Sequence, residues 1–212
     1  MQIAGGNSSF DVIQTVISDL GNVLLHFDHM QSCRELAKSC PLSPEQIYDS
    51  MFESGLVREY ELGRISSAEF ARMSMERLNV HLEMDLIREI WSDIFYPVSG
   101  MEALMTSLKG TYRLVLLSNT NEWHFEHCHK KFPVVRLFEH LALSYRLGCQ
   151  KPDREIFERA LAMANARPEE TLYVDDMPAY VESARRLGMK AVCFKDRDQL
   201  SEEMRSAGMA CP

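Results

Sequence analysis

Short apolar runs recur along the chain at Val12–Ile17, Leu114–Leu117, Leu141–Leu143, Leu172–Val174 and Ala191–Phe194. Each reads as continuous rather than alternating, which predicts strands covered on both faces. From the second run onward, helical stripes fill the gaps. Met101, Leu104, Met105 and Leu108 follow the i, i+3, i+4, i+7 spacing and stop before Gly110, a residue suited to closing a helix. Ile156, Phe157, Ala160 and Leu161 mark a second helix, and Val181, Ala184 and Leu187 a third that Gly188 ends. Strand and helix in alternation imply a parallel sheet with helices on both sides.

The stretch from Asp28 to Pro97 breaks this rhythm, because it carries helix signals and almost no strand signals. Ser43-Pro44-Glu45-Gln46 and Ser66-Ser67-Ala68-Glu69 are capping boxes, and Ile87, Ile90, Trp91 and Ile94 form a helical stripe. The expected organisation is therefore a polar tail over residues 1–10, a core domain made of 11–27 and 98–212, and an all-helical cap over 28–97. The fold class is α/β: a Rossmann-like three-layer core with a parallel sheet of about five strands, and the cap inserted after the first strand.

Composition narrows the partners. Hydrophobic residues make up 46% and charged residues 25% of 212, which is ordinary for a soluble globular chain. The net charge of −8 argues against a nucleic acid or an anionic membrane as partner. No apolar run approaches the roughly 18 residues of a membrane span, and Met1 to Phe10 lacks the basic and apolar regions of a signal peptide. Six cysteines without a CxxC read as reduced thiols of a cytoplasmic protein, monomeric or homodimeric. His124, His127, Cys128 and His129 have the composition of a zinc site. The segment around them reads more simply as a surface helix.

In an open parallel sheet, ligands bind beyond the carboxyl ends of the strands. The first run is followed by Asp19-Leu20-Gly21-Asn22-Val23, the second by Ser118-Asn119-Thr120-Asn121, the third by Lys151-Pro152-Asp153 and the fourth by Asp175-Asp176. Three carboxylates crowded on one edge repel one another unless a cation joins them. Hard oxygen donors without thiolate or imidazole suit Mg²⁺, which also takes a phosphate oxygen. Ser118, Lys151 and backbone N–H groups at a helix start after Ser118 would hold the remaining phosphate oxygens.

These four segments resemble, in order, the four motifs of the haloacid dehalogenase-like hydrolase superfamily, alpha-helical-cap subclass. DLGNV, LSNTN and KPD are similar to those of small bacterial sugar-phosphate phosphatases of the alpha-D-glucose-1-phosphate phosphatase type. The resemblance implies a phosphomonoester hydrolase that needs Mg²⁺ and acts on a small phosphorylated metabolite. It makes Asp19 the nucleophile that becomes an aspartyl-phosphate. Asp19, Asp176, the Gly21 carbonyl and Asp175 would be metal ligands, and Ser118, Asn119 and Lys151 would bind phosphate.

One departure stands at Gly21, where many members of the superfamily carry an acid that protonates the leaving group. Either a less basic leaving group, such as a sugar anomeric oxygen, lessens the need for that proton, or His26, His29 or Glu61 stands in for the acid. His26, Arg58 and Glu61 are candidates for reading the substrate. Tyr180 is a second departure, at a position often acidic in the superfamily. A metal-independent 2-haloacid dehalogenase shares the fold and the aspartate ester, but has no need of the Asp175-Asp176 doublet. A non-catalytic protein that binds phosphorylated ligands is the reading Gly21 would favour.

Overall fold

The computed structural model describes residues 12–211, so the tail expected over residues 1–10 lies outside the described residues. Five parallel strands form the sheet: β1 (Thr15–Ser18), β4 (Arg113–Ser118), β5 (His140–Leu143), β6 (Thr171–Asp175) and β7 (Lys190–Cys193), in the spatial order β5-β4-β1-β6-β7. This is the Rossmann-like core that the apolar runs predict. The chain order reverses beside β1, so the crevice between the ends of β4, β1 and β6 is the topological switch point.

Adjacent residues of each strand pack on opposite faces. Val16, Leu114, Leu116 and Val174 meet α6 (Met101–Leu108), α7 (Glu122–Lys131) and α11 (Arg197–Ser206). Ile17, Val115, Leu117 and Tyr173 meet α9 (Arg154–Met163) and α10 (Pro178–Arg186). Both faces are thus covered, which is why the strands lack alternation.

Between β1 and the rest of the sheet lie α1 (His29–Leu36), α2 (Pro44–Phe52), α3 (Leu56–Glu61), α4 (Ser67–Leu78) and α5 (Met84–Ser92). Both capping boxes form: Ser43 accepts from the Gln46 N–H and Ser66 from the Glu69 N–H, and each N3 side chain returns the bond. These helices bury a core of their own, including Ile47, Tyr60, Phe70 and Trp91, into which Trp123 of α7 also reaches. A two-stranded antiparallel stem, β2 (Leu25–Phe27) with β3 (Phe95–Pro97), carries the chain into and out of them. Those strands have three residues each, too short to register as periodicity.

The helices are latched to the sheet domain. The Trp123 N–H donates to the Tyr60 hydroxyl at 3.2 Å, Tyr60 bonds to the Ser67 hydroxyl at 2.7 Å, and Ser67 donates to the Glu122 carboxylate. At Gly63 (φ +65°) the backbone runs so close to α8 (Ser144–Leu147) that a Cβ there would lie 2.0 Å from the Tyr145 carbonyl oxygen. Only glycine fits both the left-handed backbone and the contact.

Candidate active site

Every strand end that the sequence singled out meets at the switch point. Asp19 follows β1, Ser118 ends β4, Asp175 ends β6, and Lys151 arrives from the loop before α9. The ammonium of Lys151 is 2.8 Å from Asp19 Oδ1 and 2.7 Å from Asp175 Oδ2, with only 1% of the residue exposed. Carboxylate oxygens of Asp19, Asp175 and Asp176 lie within 4.8 Å of one another, and they are the one such group of potential ligands among the described residues.

Asp175 is thoroughly engaged. Its Oδ2 accepts from Lys151 and from the Tyr173 hydroxyl, and its Oδ1 accepts from the Met177 N–H at 2.8 Å. Asp176 is half-buried and accepts from the Asn22 side-chain amide at 3.2 Å. Asn22 sits at φ 52° in the turn after β1, a backbone that asparagine tolerates. Asn119 spends its amide on the backbone of Lys151: its Oδ1 accepts from the Lys151 N–H at 2.8 Å and its Nδ2 donates to the Lys151 carbonyl at 3.0 Å. The side chain therefore orients the lysine loop.

The electrostatics leave the site short of positive charge. Burial, with the charge of Asp175 added, raises the Asp19 carboxyl to about 7 even though Lys151 opposes the shift. Burial also raises Asp176. Burial disfavours the charged Lys151, but Asp19 and Asp175 together outweigh it and hold the ammonium above its ordinary value. Three carboxylates against one ammonium leave two negative charges when all are ionised. A divalent cation held by oxygen donors matches both the charge and the chemistry of that set.

Two adjoining cavities open at this point. One is lined by Asp19, Asn22, Lys151, Asp176, Met177 and Tyr180. The other extends beneath the helices, lined by His29, Glu61, Phe95, Thr120 and His124. Gly21, Phe27, Ser118 and Asn119 line both.

Several expectations are corrected here. The helix after β4 starts at Glu122, capped by Asn121, and the Thr120 N–H is taken by Ser144 Oγ at 2.9 Å. That amide is not free for an anion. The segment around His124 is the expected surface helix, with Glu126, His129, Lys130 and Lys131 exposed, while its inner face buries Trp123, His124, Phe125 and Cys128. His124 is fixed by the Trp91 carbonyl at 2.9 Å and by Asn121 at 3.0 Å, and no zinc cluster forms there among the described residues. His26 faces a separate groove with Gly100 and Asp196, and Arg58 is exposed and lines neither cavity. Glu61 and His29 do reach the inner cavity. Tyr173 was missed, although its i, i+2 relation to Asp175 on β6 places both on one face.

The chain belongs to the family of haloacid dehalogenase-like hydrolases, whose profile matches residues 23–194. It is a hydrolase of that family. Among curated relatives it is similar to D-ribitol-5-phosphate phosphatase of Bacteroides thetaiotaomicron, with 27% identity over 84% of this chain and 90% of the relative. Among solved structures it is similar to a family enzyme of the same organism in complex with magnesium and inorganic phosphate. Identity there is 27%, the TM-score 0.80, and coverage 89% of this chain and 98% of that one. A predicted family hydrolase of Porphyromonas gingivalis gives 28%, a TM-score of 0.79, and coverage of 92% and 98%. Among the described residues no helix is long and apolar enough to cross a membrane.

Proposed function

We propose that the protein is a Mg²⁺-dependent phosphomonoester hydrolase acting on a small phosphorylated metabolite, a sugar or polyol phosphate, through an aspartyl-phosphate on Asp19. The observation that carries this reading is the set of Asp19, Asp175 and Asp176 within 4.8 Å, with Lys151 bridging Asp19 and Asp175. The ribitol-phosphate phosphatase relative and the magnesium–phosphate complex of the structural neighbour support it. Six free thiols accord with a reducing, cytoplasmic setting.

Asp19, Asp176 and the Gly21 carbonyl would hold Mg²⁺, with Asp175 completing the set behind them. When bound, the ion supplies positive charge for the transferring phosphoryl group and keeps Asp19 ionised. The Asp19 carboxylate then attacks phosphorus in line, and the bond to the leaving oxygen breaks. Lys151 steadies the nucleophile and would offset negative charge on a phosphoryl oxygen, to which the Ser118 hydroxyl would donate a hydrogen bond. Asn119 serves this step by orienting the lysine loop. Water finally displaces Asp19 from phosphorus.

Turnover of p-nitrophenyl phosphate tests the reading. The expected result is release with Mg²⁺, loss with EDTA, and a fall in kcat on the order of 10⁴-fold or more in Asp19→Asn. Metal-independent chloride release from 2-chloropropionate would instead establish the dehalogenase. Gly21 favours one further reading, a phospholigand-binding protein without catalysis. Mg²⁺-stimulated binding of inorganic phosphate without any turnover would establish that.

A further inference from the structure

A leaving alkoxide needs a proton, and Gly21 has no side chain to give one. Its place is taken, since a Cβ on Gly21 would lie 2.7 Å from the ring of Phe27. A side-chain donor therefore has to come from elsewhere on the walls of the two adjoining cavities. The ammonium of Lys151 is held between two carboxylates. His124 has both ring nitrogens engaged, and burial lowers it to about 3. Burial lowers His29 to about 4, so it too is neutral near pH 7. The Tyr180 phenol is raised by burial, and Asp175, Asp19 and Glu61 push it further.

Glu61 is different. It is the last residue of α3, placed over the site by the Tyr60 latch on one side and the Gly63 contact on the other. It lines the inner cavity together with Gly21 and Ser118. Tyr180, which lines the adjoining cavity with Asp19 and Lys151, feels the charge of Glu61. Burial raises it to about 7, where both of its forms are present at neutral pH. His29 and His124 are the other titratable groups lining this cavity, and Asp19, Lys151, Asp176 and Tyr180 line the adjoining one.

We propose that Glu61 is the catalytic acid and base of this site, reaching down from the helical insert in place of a side chain at position 21. As Asp19 binds phosphorus and the bond to the leaving oxygen breaks, the Glu61 carboxyl gives that oxygen its proton and becomes a carboxylate. The carboxylate then takes a proton from the water that attacks the aspartyl-phosphate. The bond from phosphorus to Asp19 breaks, phosphate departs, and both carboxyls return to their starting states. The inference rests on the phosphatase reading.

The test compares wild type and Glu61→Gln, with Mg²⁺, on p-nitrophenyl phosphate and on whichever of a panel of sugar and polyol phosphates wild type hydrolyses fastest. On the alkyl phosphate, kcat is expected to fall by roughly 10²–10⁴-fold with KM little changed. The nitrophenyl ester needs no acid in its first step. It should give a burst of about one nitrophenolate per chain, and a phosphoryl group should appear on the chain by mass spectrometry. Glu61→Asp, which keeps a carboxyl, should recover at least about tenfold of the alkyl phosphate rate. Turnover of both esters within about threefold of wild type, equal losses without a burst, or no recovery in Glu61→Asp overturns the inference alone. A wild-type chain inert toward every ester overturns the phosphatase reading beneath it.

Discussion

Lys151 has almost no contact with water, and its ammonium sits between two carboxylates that are themselves buried. Removing it leaves two uncompensated buried acids, a change that costs about 3–5 kcal/mol for a broken buried pair. Lys151→Met is therefore expected to lower the melting temperature on the order of 10 °C at pH 7 without metal. The deficit should narrow in acid as the carboxyls take up protons, which calorimetry across pH would register. At this scale much of the site is legible, because Asp19, Ser118, Asp175 and Asp176 come at the ends of apolar runs and Lys151 lies in the loop past the third. Tyr173 and Phe27 were not legible, since one reads as strand filler and the other acts through a contact six residues away from Gly21 along a bent chain. Asn119 was read as a phosphate ligand, whereas its side chain is occupied with the lysine loop.

Among the elements, α3 does the positioning. It is only a turn and a half long, and its place is set by what flanks it: the Tyr60 hydroxyl on the Trp123 N–H and the glycine packed on Tyr145. Gly63→Ala introduces both a left-handed backbone strain and a clash with a carbonyl oxygen. We expect it to destabilise the protein by about 2–3 kcal/mol or more, and to reduce alkyl phosphate turnover by displacing Glu61. Denaturant titration and steady-state kinetics check the two effects separately. The helices themselves were readable, since their capping boxes and stripes are local signals. The β2–β3 stem was not, because pairing Leu25–Phe27 with Phe95–Pro97 is a long-range event between three-residue segments. The burial of His124 on the inner face of α7 is not legible for a related reason. Its ring looks polar in sequence but is enclosed by Trp91 and Phe95 from distant parts of the chain.

For the molecule as a whole, the half-buried carboxyl of Glu61 opposes folding wherever it must ionise. Its value rises from 4.5 to about 7 on folding. The protonated form thus contributes stability that is fully present below pH 4.5 and lost as pH rises through 7. The full span corresponds to at most ~3 kcal/mol. His29 and His124 work in the opposite sense, since folding lowers both and their contribution is lost as pH falls below 6.5. Comparison with Glu61→Gln isolates the glutamate. The variant should gain a few degrees in melting temperature over wild type between pH 5 and pH 8, with the two converging below pH 4.5.

The ring of Phe27 resting on Gly21 has a consequence for how such a site changes over generations. An aspartate introduced at position 21 meets an occupied volume, and shrinking position 27 first leaves a hole beside the nucleophile. Each single step is penalised until the other has been taken. The two positions are therefore expected to change as a linked pair. Gly21→Asp should be better tolerated together with a smaller residue at position 27 than alone, which denaturant titration of the single and double variants checks.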